Sequence, residues 1–80
     1  MNFDQEVFCN IKIYKTNVRE PSQGRAILDE IRLNVPGSDP SFDIDDCDKV
    51  LRVETQKEPI NDSKIRGLVE ASGFHIEDLL

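Results

Sequence analysis

Two rhythms alternate along these 80 residues, and their order restricts the fold more than any single residue does. Val7, Cys9, Ile11 and Ile13 alternate with Phe8, Asn10, Lys12 and Tyr14. That period of two reads as a strand, with the first set expected to face inward and Phe8 and Tyr14 on the other face. Ile27, Leu28, Ile31 and Val35 then recur at helical spacing, opposite a polar face of Arg25, Asp29, Glu30, Arg32 and Asn34. Ser22 is the expected N-cap and Pro36-Gly37 the stop. Ser38-Asp39-Pro40 reads as a connector. Phe42 and Ile44 mark a short second strand, and Asp45-Asp46-Cys47-Asp48 a turn, because Asp side chains bond readily to nearby amides. Leu51 and Val53 mark a third strand, with Val50 at its start and Arg52 and Glu54 on its opposite face. Gln56 to Pro59 reads as a polar link. Ile60 precedes a cap at Asn61 or Asp62, and Ile65, Leu68 and Val69 form the stripe of a second helix. Gly73 suits a left-handed C-terminal position, with Phe74 packing back. Phe74, Ile76 and Leu79 make a last strand.

Strand, helix, strand, strand, helix, strand can assemble in few ways. Right-handed crossovers place strand one beside strand three and strand four beside strand one. The expected fold is α+β: a ferredoxin-like βαββαβ sandwich, one domain over residues 1–80, with a four-stranded antiparallel sheet and two helices on one face. The 15–22 loop and the 45–48 turn then share one end of the sheet. Lys15 and Arg19 are expected to face the aspartates there, at about 0–1 kcal/mol per exposed pair.

A chain this short buries only about 60–65 % of the surface it exposes when unfolded. That leaves little room for an enclosed catalytic cavity. The net charge of −6 disfavours binding to a phosphate backbone, which needs clustered Lys and Arg, and biases association toward basic partners. No apolar run approaches the ~20 residues of a membrane span. Met1 to Glu6 is acidic and lacks the basic start of a signal peptide. A cytoplasmic location is expected, with Cys9 and Cys47 as reduced thiols.

Few residues invite chemistry. Cys9, on the apolar set of strand one, reads as a small buried hydrophobe. Cys47 stands among aspartates that disfavour its thiolate. The two are not expected to pair, because the strand order places them at opposite ends of the sheet. Asp43, Asp45 and Glu54 match the outer spacing of a calcium loop. Cys47 occupies a ligand position, however, and Asp48 replaces the glycine, so a solvated turn is the better account. His75, the only histidine, is expected to point to solvent. No nucleophile–base arrangement, phosphate loop or metal-ligand spacing is present. No catalytic, cofactor or metal residue is therefore assigned.

Lys15-Thr16-Asn17-Val18, Leu28-Asp29-Glu30-Ile31, Asp48-Lys49-Val50-Leu51-Arg52-Val53-Glu54 and Ala71-Ser72-Gly73-Phe74 resemble the heavy-metal-associated domain of copper chaperones and metal-transporting ATPases. The likeness is strongest to small bacterial stand-alone versions and runs from about Ile11 to Leu80. The resemblance implies the same fold and a Cys-x-x-Cys after strand one, whose soft thiolates bind Cu(I). Aligned on residues 15–18, Glu20 and Gln23 stand near those positions. A carboxylate and an amide do not replace two thiolates. The resemblance thus implies a scaffold of this family that has lost its metal site.

A non-enzymatic protein-interaction or regulatory module is expected, acting through the edge strand around Phe42 and Ile44, which could pair with a protein partner or a second copy. The alternative is a metal-handling protein related to copper chaperones, using Cys47 or a ligand from a partner. A third reading is an enzyme subunit whose site is completed elsewhere.

Overall fold

The structure, a computed structural model, describes residues 9–43, 49–56 and 58–79, and the side chain of Cys9 is not among what it describes. Its elements are β1 (Cys9–Thr16), α1 (Pro21–Asn34), β2 (Ser38–Asp43), β3 (Val50–Gln56), α2 (Asp62–Ala71) and β4 (Ile76–Asp78). The strands form one antiparallel sheet in the order β2-β3-β1-β4. This is the ferredoxin-like βαββαβ arrangement expected from the sequence.

Both helices present their buried stripes to one face of the sheet. Ile27 and Ile31 of α1 and Ile65 and Val69 of α2 share a core with Tyr14, Leu51, Val53 and Ile76. Leu28 and Leu68, half-buried, pack against its margin. The 3.6-residue spacing had marked all of these helical positions.

The face of β1 is the reverse of expectation. Tyr14 and Thr16 are buried, whereas Ile11 is 44 % exposed and Ile13 only half-buried. The register explains the inversion. Tyr14 lies opposite Leu51 and Lys12 opposite Val53, while Ile13 faces Arg52 and Ile11 faces Glu54. The phenol ring buries more apolar area than an isoleucine, and its hydroxyl finds a partner on α2, so burying it leaves no polar group unsatisfied.

Local chemistry sets the element ends. α1 begins at Pro21, not at a Ser22 cap: Glu20 is the N-cap and Ser22 lies exposed in the first turn. Pro21 suits that position because its φ is preset and its missing N–H would have been unsatisfied anyway. Gln23 Oε1 accepts from the Glu20 amide at 3.4 Å. Asn61 caps α2, its side chain accepting from the Lys64 amide at 3.2 Å. Gly73, at φ 92°, ends that helix by donating to Glu70 O.

One expected loop is strand and another starts one residue later than expected. Ser38-Asp39-Pro40 belongs to β2, and Gln56 is the last residue of β3, with Glu58 and Pro59 outside it. Pro40 is tolerated because β2 lies at the sheet edge, and its ring packs into the core. The β1–β3 register places Cys9 opposite Gln56 and Lys15 opposite Val50. Cys9 thus sits about 20 Å of strand from the start of β3. Val7, Phe8, Ile44, Asp45, Asp46, Cys47 and Asp48 lie outside the described residues, as do the expectations placed on them.

Candidate functional site: a groove between the first helix and the edge strand

Three places in this fold gather polar side chains, and they differ in what they leave unsatisfied.

The first is the loop after β1, where the family resemblance places its metal ligands. Thr16 Oγ1 donates to Lys49 O at 2.7 Å and accepts from the Val18 amide at 3.2 Å, closing this end of the sheet. Asn17 Oδ1 accepts from the His75 amide at 2.8 Å. Glu20 and Gln23 are engaged in starting α1. Among the described residues, no three His, Cys, Asp or Glu side chains converge as metal ligands. His75 is exposed, with its ring 3.0 Å from Glu77.

The second is a network under α2 that the sequence did not announce. Tyr14 Oη donates to Asp62 Oδ1 at 2.6 Å, and Arg66 Nε donates to Asp62 Oδ2 at 2.8 Å. Arg66 also reaches Asp78 Oδ1 at 2.6 Å, where Lys12 Nζ lies at 3.2 Å. Lys12 and Arg66 stand 5.5 and 5.6 Å from the Tyr14 ring centre. Two cations and two anions thus cancel while tying α2 to β1 and β4. Burial, then the bond to Asp62, push the Tyr14 phenol well above its ordinary value. The bond from Tyr14 and the Arg66 guanidinium hold the Asp62 carboxyl below its own. The phenol is therefore held as a donor to the Asp62 carboxylate.

These shifts fix a pH dependence. A lowered carboxyl contributes stability above the unfolded value of about 3.9, lost as acid reaches the folded one. A raised phenol contributes below the unfolded value of about 10, lost as pH climbs past it. Tyr14→Phe is expected to cost about 1–2 kcal/mol at neutral pH. It should also flatten the alkaline limb of a urea-midpoint profile above about pH 10. An unchanged alkaline limb would place the phenol in solvent.

The third place is a groove between α1 and β2. Pro21, Arg25, Leu28 and Arg32 recur at helical spacing and turn one stripe of α1 toward the sheet edge. With Phe42 of β2 they line an open cleft of about 430 Å³. Leu28 and Phe42 are half-buried and form its apolar floor. Arg32 lies 3.5 Å from Asp29, also in the cleft. Among the described residues, Arg25 has no ion pair or hydrogen bond. A chain of net charge −6 therefore holds a locally cationic groove. Of the expected edge-strand pair, Phe42 lines it, whereas Ile44 lies outside the described residues. The edge strand was legible from the sequence. The groove was not, because its two walls come together only in the tertiary packing.

The outer sheet face is different in kind. Ile11, Ile13 and Val50 lie there among Lys15, Arg52 and Glu54, and Arg52 pairs with Glu54 at 3.3 Å.

No helix of the described residues is long and apolar enough to cross a membrane. No family model matches this chain, and no curated protein or solved structure is detectably similar to it.

Proposed function

We propose that this protein is a non-enzymatic, cytoplasmic protein-interaction module. It is built on a scaffold of the heavy-metal-associated type that has lost its metal site, and it meets its partner at the groove between α1 and β2. The observation that carries this reading is the union, in one cleft, of an open strand edge, an apolar floor of Leu28 and Phe42, and an Arg25 guanidinium without a partner among the described residues. A strand edge offers unpaired main-chain groups, and half-buried apolar side chains beside it supply the anchoring area that main-chain bonds lack. The network of Lys12, Tyr14, Asp62, Arg66 and Asp78 is charge-balanced and joins three elements, as a positioning device does.

The test is capture from the native cell with the tagged chain and with Phe42→Ser, the fold of the variant checked by circular dichroism. A partner retained by the natural chain and lost with the folded variant is expected. A partner retained equally by both would move the binding face elsewhere. Tight one-to-one Cu(I) binding under reducing conditions would favour the metal-handling alternative.

A further inference from the structure

We infer that the occupant of the groove is the free C-terminus of a partner chain. Its terminal carboxylate is held between the Arg25 guanidinium and the Phe42 amide, and the side chain before it is apolar and lies on the floor. This inference rests on the protein-binding reading above and names the chemistry of the partner.

The main-chain groups of the open edge carry it. Residues of an antiparallel strand turn their N–H and C=O alternately toward and away from the neighbouring strand, and β2 has one neighbour, β3. The Ser38 N–H donates at 3.2 Å to Val35 O, outside the ladder with β3. Ser38, Pro40 and Phe42 therefore turn their main-chain groups to the open side. This phase also suits Pro40, whose missing N–H is then not missed by the ladder. With the Ser38 amide engaged and Pro40 without one, the Phe42 N–H is the main-chain donor that β2 offers along its edge, beside the carbonyls of Ser38, Pro40 and Phe42.

That donor stands where the unpaired cation stands. β2 follows α1 and runs back along it, so Phe42 lies level with the first turns of α1 and lines the same cleft as Arg25. Arg32, farther along, already lies 3.5 Å from Asp29. An amide in the plane of the sheet and a guanidinium from the helix layer converge on a carboxylate in the main-chain line of an added strand. A side-chain carboxylate of such a strand projects to one face or the other and misses the amide. The group that fits is the end of a chain, and hydrogen bonds from a guanidinium to a carboxylate are roughly twice as strong as neutral ones.

Parallel pairing places every atom of such an end. The last residue donates its N–H to Pro40 O and accepts from the Phe42 N–H through its carboxylate, which sets it beside Ser41. Its side chain falls on the outer face, where Arg52 pairs with Glu54 and Asp43 already has a partner, so that face adds no charge requirement. The residue before it stands beside Pro40 and projects to the helix side, where Leu28 and Phe42 call for an apolar side chain. The residue before that donates to Ser38 O. A chain running on past Phe42 would set a neutral carbonyl there and leave the guanidinium unmatched.

The test uses the full chain and two N-acetylated pentapeptides that are isomers of equal charge. One runs Ser, Ser, Ser, Ile, Asn and ends in a free carboxylate. The other runs Ser, Ser, Ser, Ile, Asp and ends in an amide, so that its carboxylate is moved from main chain to side chain. Binding is followed by amide and arginine Nε–H shifts in nitrogen–proton NMR spectra. The free acid is expected to shift the Phe42 amide and the Arg25 Nε–H, and to bind roughly tenfold more tightly than its isomer. In Arg25→Gln its affinity should fall by a similar factor, and the preference between the isomers should shrink. Arg25 is exposed, so unchanged spectral dispersion verifies the fold.

Equal affinity for the two isomers, tighter binding of the amide, no binding of either, or shifts centred on Ile13 and Arg52 would overturn the inference. So would a dimer in sedimentation that Arg25→Glu dissolves, since a second copy would then fill the groove. Each of these leaves capture of a partner sensitive to Phe42→Ser untouched, so the two failures are distinguishable.

Discussion

Tyr14→Ala is expected to cost about 3–5 kcal/mol, the range for deleting a buried aromatic side chain. Tyr14 is fully buried at the centre of the sheet, opposite Leu51, and its hydroxyl joins the network that holds α2 and β4. Domains of this kind have only about 5–15 kcal/mol in total, so the loss takes a large share of the stability and should lower the urea midpoint steeply. Ile11→Ala, on the same strand but the opposite face and 44 % exposed, should cost no more than about 1 kcal/mol. Urea denaturation of the two variants decides which face of β1 packs against the helices. A larger loss for Ile11 than for Tyr14 would restore the alternation read from the sequence.

Leu51→Ala carries the second large effect. Leu51 is fully buried on β3, with Phe42 on one side and Tyr14 on the other. Its truncation opens a cavity touching both neighbouring strands and should cost about 2–5 kcal/mol. Leu33, on α1, is 75 % exposed and serves as the control. Leu33→Ala removes no packed group and keeps a strong helix former, so a change within about 0.5 kcal/mol is expected. An unchanged urea midpoint for Leu51→Ala would contradict the register of the central strands.

The contrast between helices and strands shows what this sequence made legible. Ile27, Ile31, Ile65 and Val69 were readable as core because a 3.6-residue stripe singles out one helix face. β1 offers two alternating sets of equal period, and apolarity alone favours Ile11 and Ile13 over Tyr14 and Thr16. The deciding partner of Tyr14 is Asp62, 48 residues away, which no local pattern reveals. Ser38-Asp39-Pro40 has the composition of a turn, yet pairing with β3 draws it into the sheet. The groove was hidden for a related reason. Arg25, Leu28 and Arg32 form a visible helical stripe, but only packing brings Phe42 beside it. The one local sign was two arginines at i and i+7 on a helix of an acidic chain.

The face that meets a partner can be read directly by photo-crosslinking in the native cell. A photoreactive amino acid replaces Asp29, exposed in the groove, or Arg52, exposed on the outer sheet face. Binding in the groove between α1 and β2 predicts one dominant protein adduct from position 29 that is weak or missing from position 52 and lost on adding Arg25→Glu. An adduct formed from position 52 and not from position 29 would contradict the groove as the binding face.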